Sequence, residues 1–194
     1  MVALTDDAPE AFRSALQALR TARLRPEVVV SEAPAPGRIA PYAVAMTADV
    51  VDRRSAGEAE ELATGRFVLL HDPSSPAPWD GAFRAVTFVR AELEPELGTD
   101  PLLGAVGWSW LVDALADRGA HATREGGTVT RVVSESFAAL SDRPSGVEIE
   151  IRASWTPLDD DLTVHLQAWT DLLCTVAGLP PLPEGVSALP SRRR

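Results

Sequence analysis

Val147-Glu148-Ile149-Glu150-Ile151-Arg152 alternates apolar and ionic side chains without a break. Successive side chains of a β-strand point to opposite faces, so this stretch has an apolar underside and a charged topside. Val89-Arg90-Ala91-Glu92-Leu93-Glu94 repeats the pattern, with Arg90, Glu92 and Glu94 on one side and Val89, Ala91 and Leu93 on the other. Alternation of this kind belongs to an antiparallel sheet with one face buried and one wet. If the two strands are neighbours, guanidiniums and carboxylates can pair across the ladder. Each exposed pair is worth only about 0–1 kcal/mol. The charged faces therefore read first as solvated ladders, and second as a groove for a ligand or partner.

Working outward, further strands are expected over Glu27–Glu32, Tyr42–Val51, Arg66–His71, Phe83–Leu93 and Thr128–Phe137, with the last over Val147–Trp155. Ala33-Pro34-Ala35-Pro36-Gly37 cannot be helix or central strand, and the polar, small-residue run Arg53–Thr64 reads as a loop. Three helices complete the chain. The first has Asp7 as N-cap, Pro9 and Glu10 in its opening turn, apolar positions at Phe12, Ala15, Leu16, Leu19 and Ala22, and Pro26 as its stop. The second is capped by Asp100, has Pro101 at its first position, and ends at Gly119. Its stripe is Leu103, Val106, Trp110, Ala114 and Leu115, widened by Leu102 and Leu111. The third opens in Asp159-Asp160-Asp161, where carboxylates suit the positive end of the helix dipole. It carries Leu162, Leu166, Trp169, Leu172, Leu173 and Val176, and stops at Gly178.

The order α-β-β-β-β-α-β-β-α runs strands together rather than alternating them with helices. It predicts an α+β fold, a mainly antiparallel sheet of about six strands with three helices on one face. One domain over 7–180 is expected, with irregular tails at 1–6 and 181–194.

The chain of 194 residues carries a formal charge of −10, and all 18 of its basic residues are arginine. With alanine, valine and proline also abundant, a GC-rich genome explains the absence of lysine most simply. An acidic surface repels polyanions within about a Debye length, so DNA is not expected as a partner and RNA is disfavoured. The local exception is Arg13, Arg20 and Arg23 on the wet side of the first helix. Cys174 stands alone, so no intramolecular disulfide can form. No apolar run approaches a membrane span, and the first residues lack the basic-then-apolar order of a signal peptide. A cytoplasmic location is the expectation.

Motifs for known cofactor chemistry are missing. A phosphate loop needs a lysine, no Gly-x-Gly-x-x-Gly follows a strand, and no His-Glu-x-x-His occurs. No cofactor or metal is expected. Gly107-Trp108-Ser109-Trp110 opens like a nucleophile elbow, but Leu111 stands where the closing glycine belongs. His71 beside Asp72 offers a His–Asp pair at a strand end, against the simpler reading of an Asp-Pro turn. Trp79, in the loop Ser75-Pro76-Ala77-Pro78-Trp79-Asp80, is an interface candidate, because a tryptophan in a proline-rich loop suits a docking surface. His71 and Asp72 join it as candidates. No catalytic residue is assigned.

Several strings resemble a known family. They are Leu24-Arg25-Pro26-Glu27, Ala33-Pro34-Ala35-Pro36-Gly37-Arg38-Ile39-Ala40-Pro41-Tyr42, Leu69-Leu70-His71-Asp72-Pro73, Val89-Arg90-Ala91-Glu92-Leu93-Glu94-Pro95-Glu96, Gly127-Thr128-Val129-Thr130-Arg131, Ile149-Glu150-Ile151-Arg152-Ala153-Ser154-Trp155-Thr156-Pro157 and Asp171-Leu172-Leu173-Cys174. Together they resemble an actinobacterial family catalogued as domain of unknown function 3000. The resemblance implies a bacterial cytosolic setting and carries no activity, cofactor or catalytic residue. The helix–strand order is also similar to that of small secretion-chaperone-like α+β folds, an analogy of architecture alone.

The leading expectation is a non-enzymatic binding or adaptor protein that meets a protein partner or small ligand through Arg90, Glu92, Glu94, Glu148, Glu150 and Arg152, and that can form a homodimer. The alternative is an enzyme of unfamiliar type using those carboxylates and arginines. A third reading links the arginine face of the first helix to RNA metabolism.

Overall fold

The computed structural model describes residues 8–52, 60–142 and 144–181. Six strands, β1 (Val28–Ala33), β2 (Tyr42–Asp52), β3 (Glu60–His71), β4 (Phe83–Leu93), β5 (Ala122–Ser134) and β6 (Gly146–Pro157), form one open sheet in the order β1-β2-β3-β4-β6-β5. Every neighbouring pair is antiparallel. β1 to β4 meander. The chain then crosses the sheet through α2 (Leu103–Asp117) to the far edge, lays down β5, and returns as β6 beside β4. The other helices are α1 (Glu10–Thr21) and α3 (Thr163–Val176). This is the α+β architecture and element order that the sequence predicts.

All three helices contribute to one core on a single face of the sheet. Alternation along the strands builds that face: Val44, Met46, Ala48 and Val50 from β2, Phe67 and Leu69 from β3, Ala85, Val89 and Ala91 from β4, and Ile149, Ile151, Ala153 and Trp155 from β6. α3 lies over β2, β3 and β4 and buries Leu166, Trp169, Leu172, Leu173 and Val176, as its periodicity requires. Gly65 makes room for it, because a Cβ there would lie 3.0 Å from the Trp169 ring and 2.9 Å from a Leu173 methyl. α2 and α3 both end in a Schellman turn. Gly119 (φ 62°) and Gly178 (φ 73°) adopt left-handed backbone, and the Ala120 and Leu179 N–H groups reach back to the carbonyls of Leu115 and Cys174.

Several boundaries differ from the sequence reading. Asp7 and the residues after Pro181 lie outside the described residues, as do 53–59 of the expected loop. α1 stops at Thr21, well before Pro26, and begins after Pro9 with no side-chain cap among the described residues. β3 starts at Glu60, so Glu60–Thr64 is strand rather than loop. Glu60, Glu61 and Ala63 carry little β-propensity, but Ala63 pairs with Val50 on one side and Ala91 on the other, and tertiary pairing prevails. β5 runs Ala122–Ser134 instead of Thr128–Phe137, with a register irregularity between Thr123 and Gly126 and a left-handed Arg124 (φ 55°). α2 begins at Leu103, and the Asp100 carboxylate accepts the Leu102 N–H at 2.8 Å, capping the turn before the helix.

The buried stripe of α2 is also rotated. It is Leu103, Gly107, Leu111, Ala114 and Leu115, while Val106 and Leu102 are exposed and Trp110 is half-buried. Hydropathy points to the large side chains, but Gly107 is the contact, since a Cβ there would lie 3.0 Å from Ile149 and 3.1 Å from Val129. Glu94 falls beyond the end of β4 and so off the charged ladder.

Candidate functional site

The outer face of the sheet, away from the helices, collects the ionic side chains. In the β4–β6 register Arg90 stands opposite Glu150, Glu92 opposite Glu148, and Phe88 opposite Arg152. Glu92 and Glu148 are like charges face to face, and the Arg90 guanidinium relieves this by reaching diagonally to Glu148 with two bonds of 2.8 and 2.6 Å. These bonds hold the Glu148 carboxyl below the usual carboxylate range. Arg152 pairs with Glu150 at 2.6 Å, and its guanidinium lies 5.0 Å from the centre of the Phe88 ring, a cation–π contact. Arg90, Glu92, Glu148, Glu150 and Arg152 thus share one surface, as the alternation predicts.

Beside this ladder lies a shallow hollow of about 410 Å³, lined by Val68, Val86, Phe88, Gly126, Arg66 and Arg152 among others. It exists because Gly126, opposite Ser154 on the edge strand, leaves open space where a side chain would stand. Arg152 lines it, and the ladder carboxylates do not. Two nearby guanidiniums are held by neutral oxygens. Arg66 donates to the Pro34 carbonyl, and Arg84 donates to Ser154 Oγ at 2.6 Å and Thr156 Oγ1 at 3.1 Å. Burial lowers the Arg84 pKa, with the Glu125 charge opposing it. On the far side of the hollow, Ala45, Val68 and Leu70 form a small second cluster. Trp79 folds back on that cluster rather than projecting, and its carbonyl accepts the Thr156 hydroxyl.

His71 is buried in an aromatic cage. Phe83 (4.3 Å between ring centres), Phe12 (5.8 Å) and Tyr42 (6.0 Å) surround the imidazole. Its Nδ1–H donates to the Ala82 carbonyl, and its buried Nε2 has no partner among the described residues. Burial pushes its pKa down. The Asp72 carboxylate turns to the Ser74 N–H and hydroxyl instead, closing the turn. Ser109 is helical, and its hydroxyl donates to the Val106 carbonyl at 2.9 Å. Cys174 is buried and its thiol is pushed up to about 11, so it is an inert core residue.

One polar cluster escaped the sequence reading. At the β5–β6–α3 corner, Asp159 accepts the His121 backbone N–H at 2.7 Å and His121 Nδ1–H at 2.8 Å. His165, fully buried on α3, accepts the Trp155 indole N–H at its Nδ1 (3.1 Å). Its Nε2 comes within 3.1 Å of Asp159 but outside hydrogen-bonding geometry. Burial lowers the His165 pKa despite the neighbouring carboxylate. Burial alone would raise the Asp159 carboxyl, but the bonds from His121 outweigh it and bring it down. The available signal was helical phase, since His165 falls between Leu162 and Leu166 on the buried stripe. Nothing local linked it to His121.

Chemically, the ladder guanidiniums are taken up by carboxylates, and the hollow combines apolar walls with cationic margins. Among the described residues, no group of three or more His, Cys, Asp or Glu is placed to hold a metal ion. None of the described helices is long and apolar enough to cross a membrane.

Fold and site together define an α+β protein with an open six-stranded antiparallel sheet, helices on one face and a charged, hollowed opposite face. The model of the family described as "Protein of unknown function (DUF3000)" matches residues 8–187, and the chain belongs to that family. No curated protein and no solved structure matches it.

Proposed function

We propose that the protein is a non-enzymatic binding protein whose working surface is the outer sheet face, and that it holds an extended segment of a partner protein there. The observation that carries this reading is the hollow at Val86 and Phe88, flanked by Arg66 and Arg84, whose guanidiniums are bonded to neutral oxygens. Among the described residues neither guanidinium is ion-paired, Glu125 acting on Arg84 only through its charge, so an incoming carboxylate gains a charge-assisted bond there. The apolar floor takes an aliphatic or aromatic side chain. The partner segment therefore presents an acidic residue next to an apolar one.

Selection from a random-peptide display library tests this. Peptides enriched on the wild-type protein are expected to pair Asp or Glu with a large apolar residue. Arg66→Glu and Phe88→Asp should each weaken their binding at least about tenfold, the equivalent of roughly 1.4 kcal/mol, with the thermal midpoint little changed. A library that yields no enriched sequence, or peptides indifferent to both substitutions, would refute the proposal.

A further inference from the structure

The two edges of the sheet are built differently. β1 is short and bracketed by Pro26 and Pro34, a common defence against edge-to-edge pairing. β5 is the longest of the described strands, with 13 residues, and its second half holds no proline; its one charge there, Arg131, lies on the helix face opposite Ile149 and donates to the Asp100 carbonyl at 2.6 Å. Exposed apolar side chains concentrate there and just after it: Val132 (38%) and Val133 (52%) on the strand, then Phe137 (73%) and Leu140 (49%). Phe137, three residues past the end of β5, has extended backbone (φ −128°, ψ 160°).

We infer that this edge seats a second copy of the chain, in an isologous antiparallel pair with its two-fold axis at Val133. The sequence is self-complementary about that residue. Pairing Val133 with itself sets Arg131 opposite Glu135 of the second copy and Val129 opposite its Phe137, each twice by symmetry. Moving the axis by one residue to Val132 or Ser134 puts Arg131 or Glu135 against an apolar side chain. Centring on Thr128 does pair Arg131 with Glu125, but it sets Val133 against Thr123, leaves Phe137 beyond the partner strand and runs into the irregularity between Thr123 and Gly126. Two sheets joined this way form one continuous sheet with both outer faces open, so this pairing is compatible with the proposed binding surface and does not depend on it.

Light scattering on the full chain after size exclusion is the test. The wild-type protein is expected at twice the chain mass. Val133→Lys places two ammoniums on the axis and should shift it to monomer. Val133→Glu should do the same, and an equimolar mixture of the two variants should recover the dimer. Val133→Cys should form a disulfide-linked dimer under mild oxidation, since directly opposed residues lie about 4.5–5.5 Å apart at Cα, within disulfide reach. Val133 is half-exposed, so these variants keep the fold, which a thermal melt checks. A wild-type monomer at the highest soluble concentration would overturn the inference. So would a dimer that survives Val133→Lys. Peptide selection on the outer face reads independently of both results.

Discussion

Trp155→Ala is expected to cost about 3–5 kcal/mol and to flatten the loss of stability in mild acid. Trp155 is completely buried at the end of β6, against Phe67 at 6.3 Å and His165 at 6.3 Å between ring centres. Truncation leaves a large cavity and strands the His165 Nδ1 acceptor. The pH effect follows from His165 and His71, which burial holds neutral below the ordinary imidazole value of 6.5. As pH falls through 6.5, the unfolded chain takes up these protons and the native protein does not, so stability is full above that pH and declines below it. Each histidine contributes a slope of at most about 1.4 kcal/mol per pH unit. With the indole gone, water reaches His165 and its share of the slope disappears, while that of His71 remains. Trp155→Phe keeps most of the volume but still strands the acceptor, at about 1–3 kcal/mol. Urea denaturation between pH 8 and pH 5 measures all of this, and an unchanged slope in Trp155→Ala would contradict the account.

Gly127→Ala should be nearly as damaging, whereas the same change at the neighbouring Gly126 should be harmless. A Cβ on Gly127 would collide with the Arg152 carbonyl oxygen and approach Ala153 Cα at 2.9 Å and the Trp108 ring at 2.8 Å. The first two are backbone atoms of β6, which is hydrogen-bonded on both sides, so they cannot move aside. The cost should exceed the roughly 1–3 kcal/mol of ordinary overpacking. Gly126 meets nothing within 4 Å and has no left-handed backbone requirement. Gly126→Ala should therefore stabilise by up to about 1 kcal/mol through the unfolded chain, while narrowing the mouth of the hollow. Denaturation midpoints compare the two directly. Equal effects would show that the close approach at Gly127 is not real.

The parts of the fold that were legible in the sequence rest on strong periodicity. Val147–Arg152 and Val89–Leu93 fixed both the sheet face and the shared charged surface, and Leu166, Trp169, Leu172 and Leu173 defined the inner helix. The readings that failed did so where glycine or small residues make the contact. Gly107 and Gly65 have no hydropathy signal, so the α2 stripe and the first half of β3 were misplaced, although both glycines admit large neighbours. The hollow was illegible for the same reason, being defined by what Gly126 lacks. The His121–Asp159–His165 cluster is brought together by a corner joining two strands and a helix, which spacing cannot reveal. Arg66 and Arg84 were passed over because their partners are a carbonyl and two hydroxyls rather than the carboxylates that a charge pattern displays.

Hydroxyl-radical footprinting of the wild-type protein, free and saturated with a library-selected peptide, tests the central claim most directly. The side chains to follow are Phe88 and Val86 on the outer face, with Val106 and Val112 on α2 as references. The account predicts that the peptide protects Phe88 and Val86 and leaves the α2 valines unchanged. Protection of the α2 valines, with Phe88 as reactive as before, would contradict it.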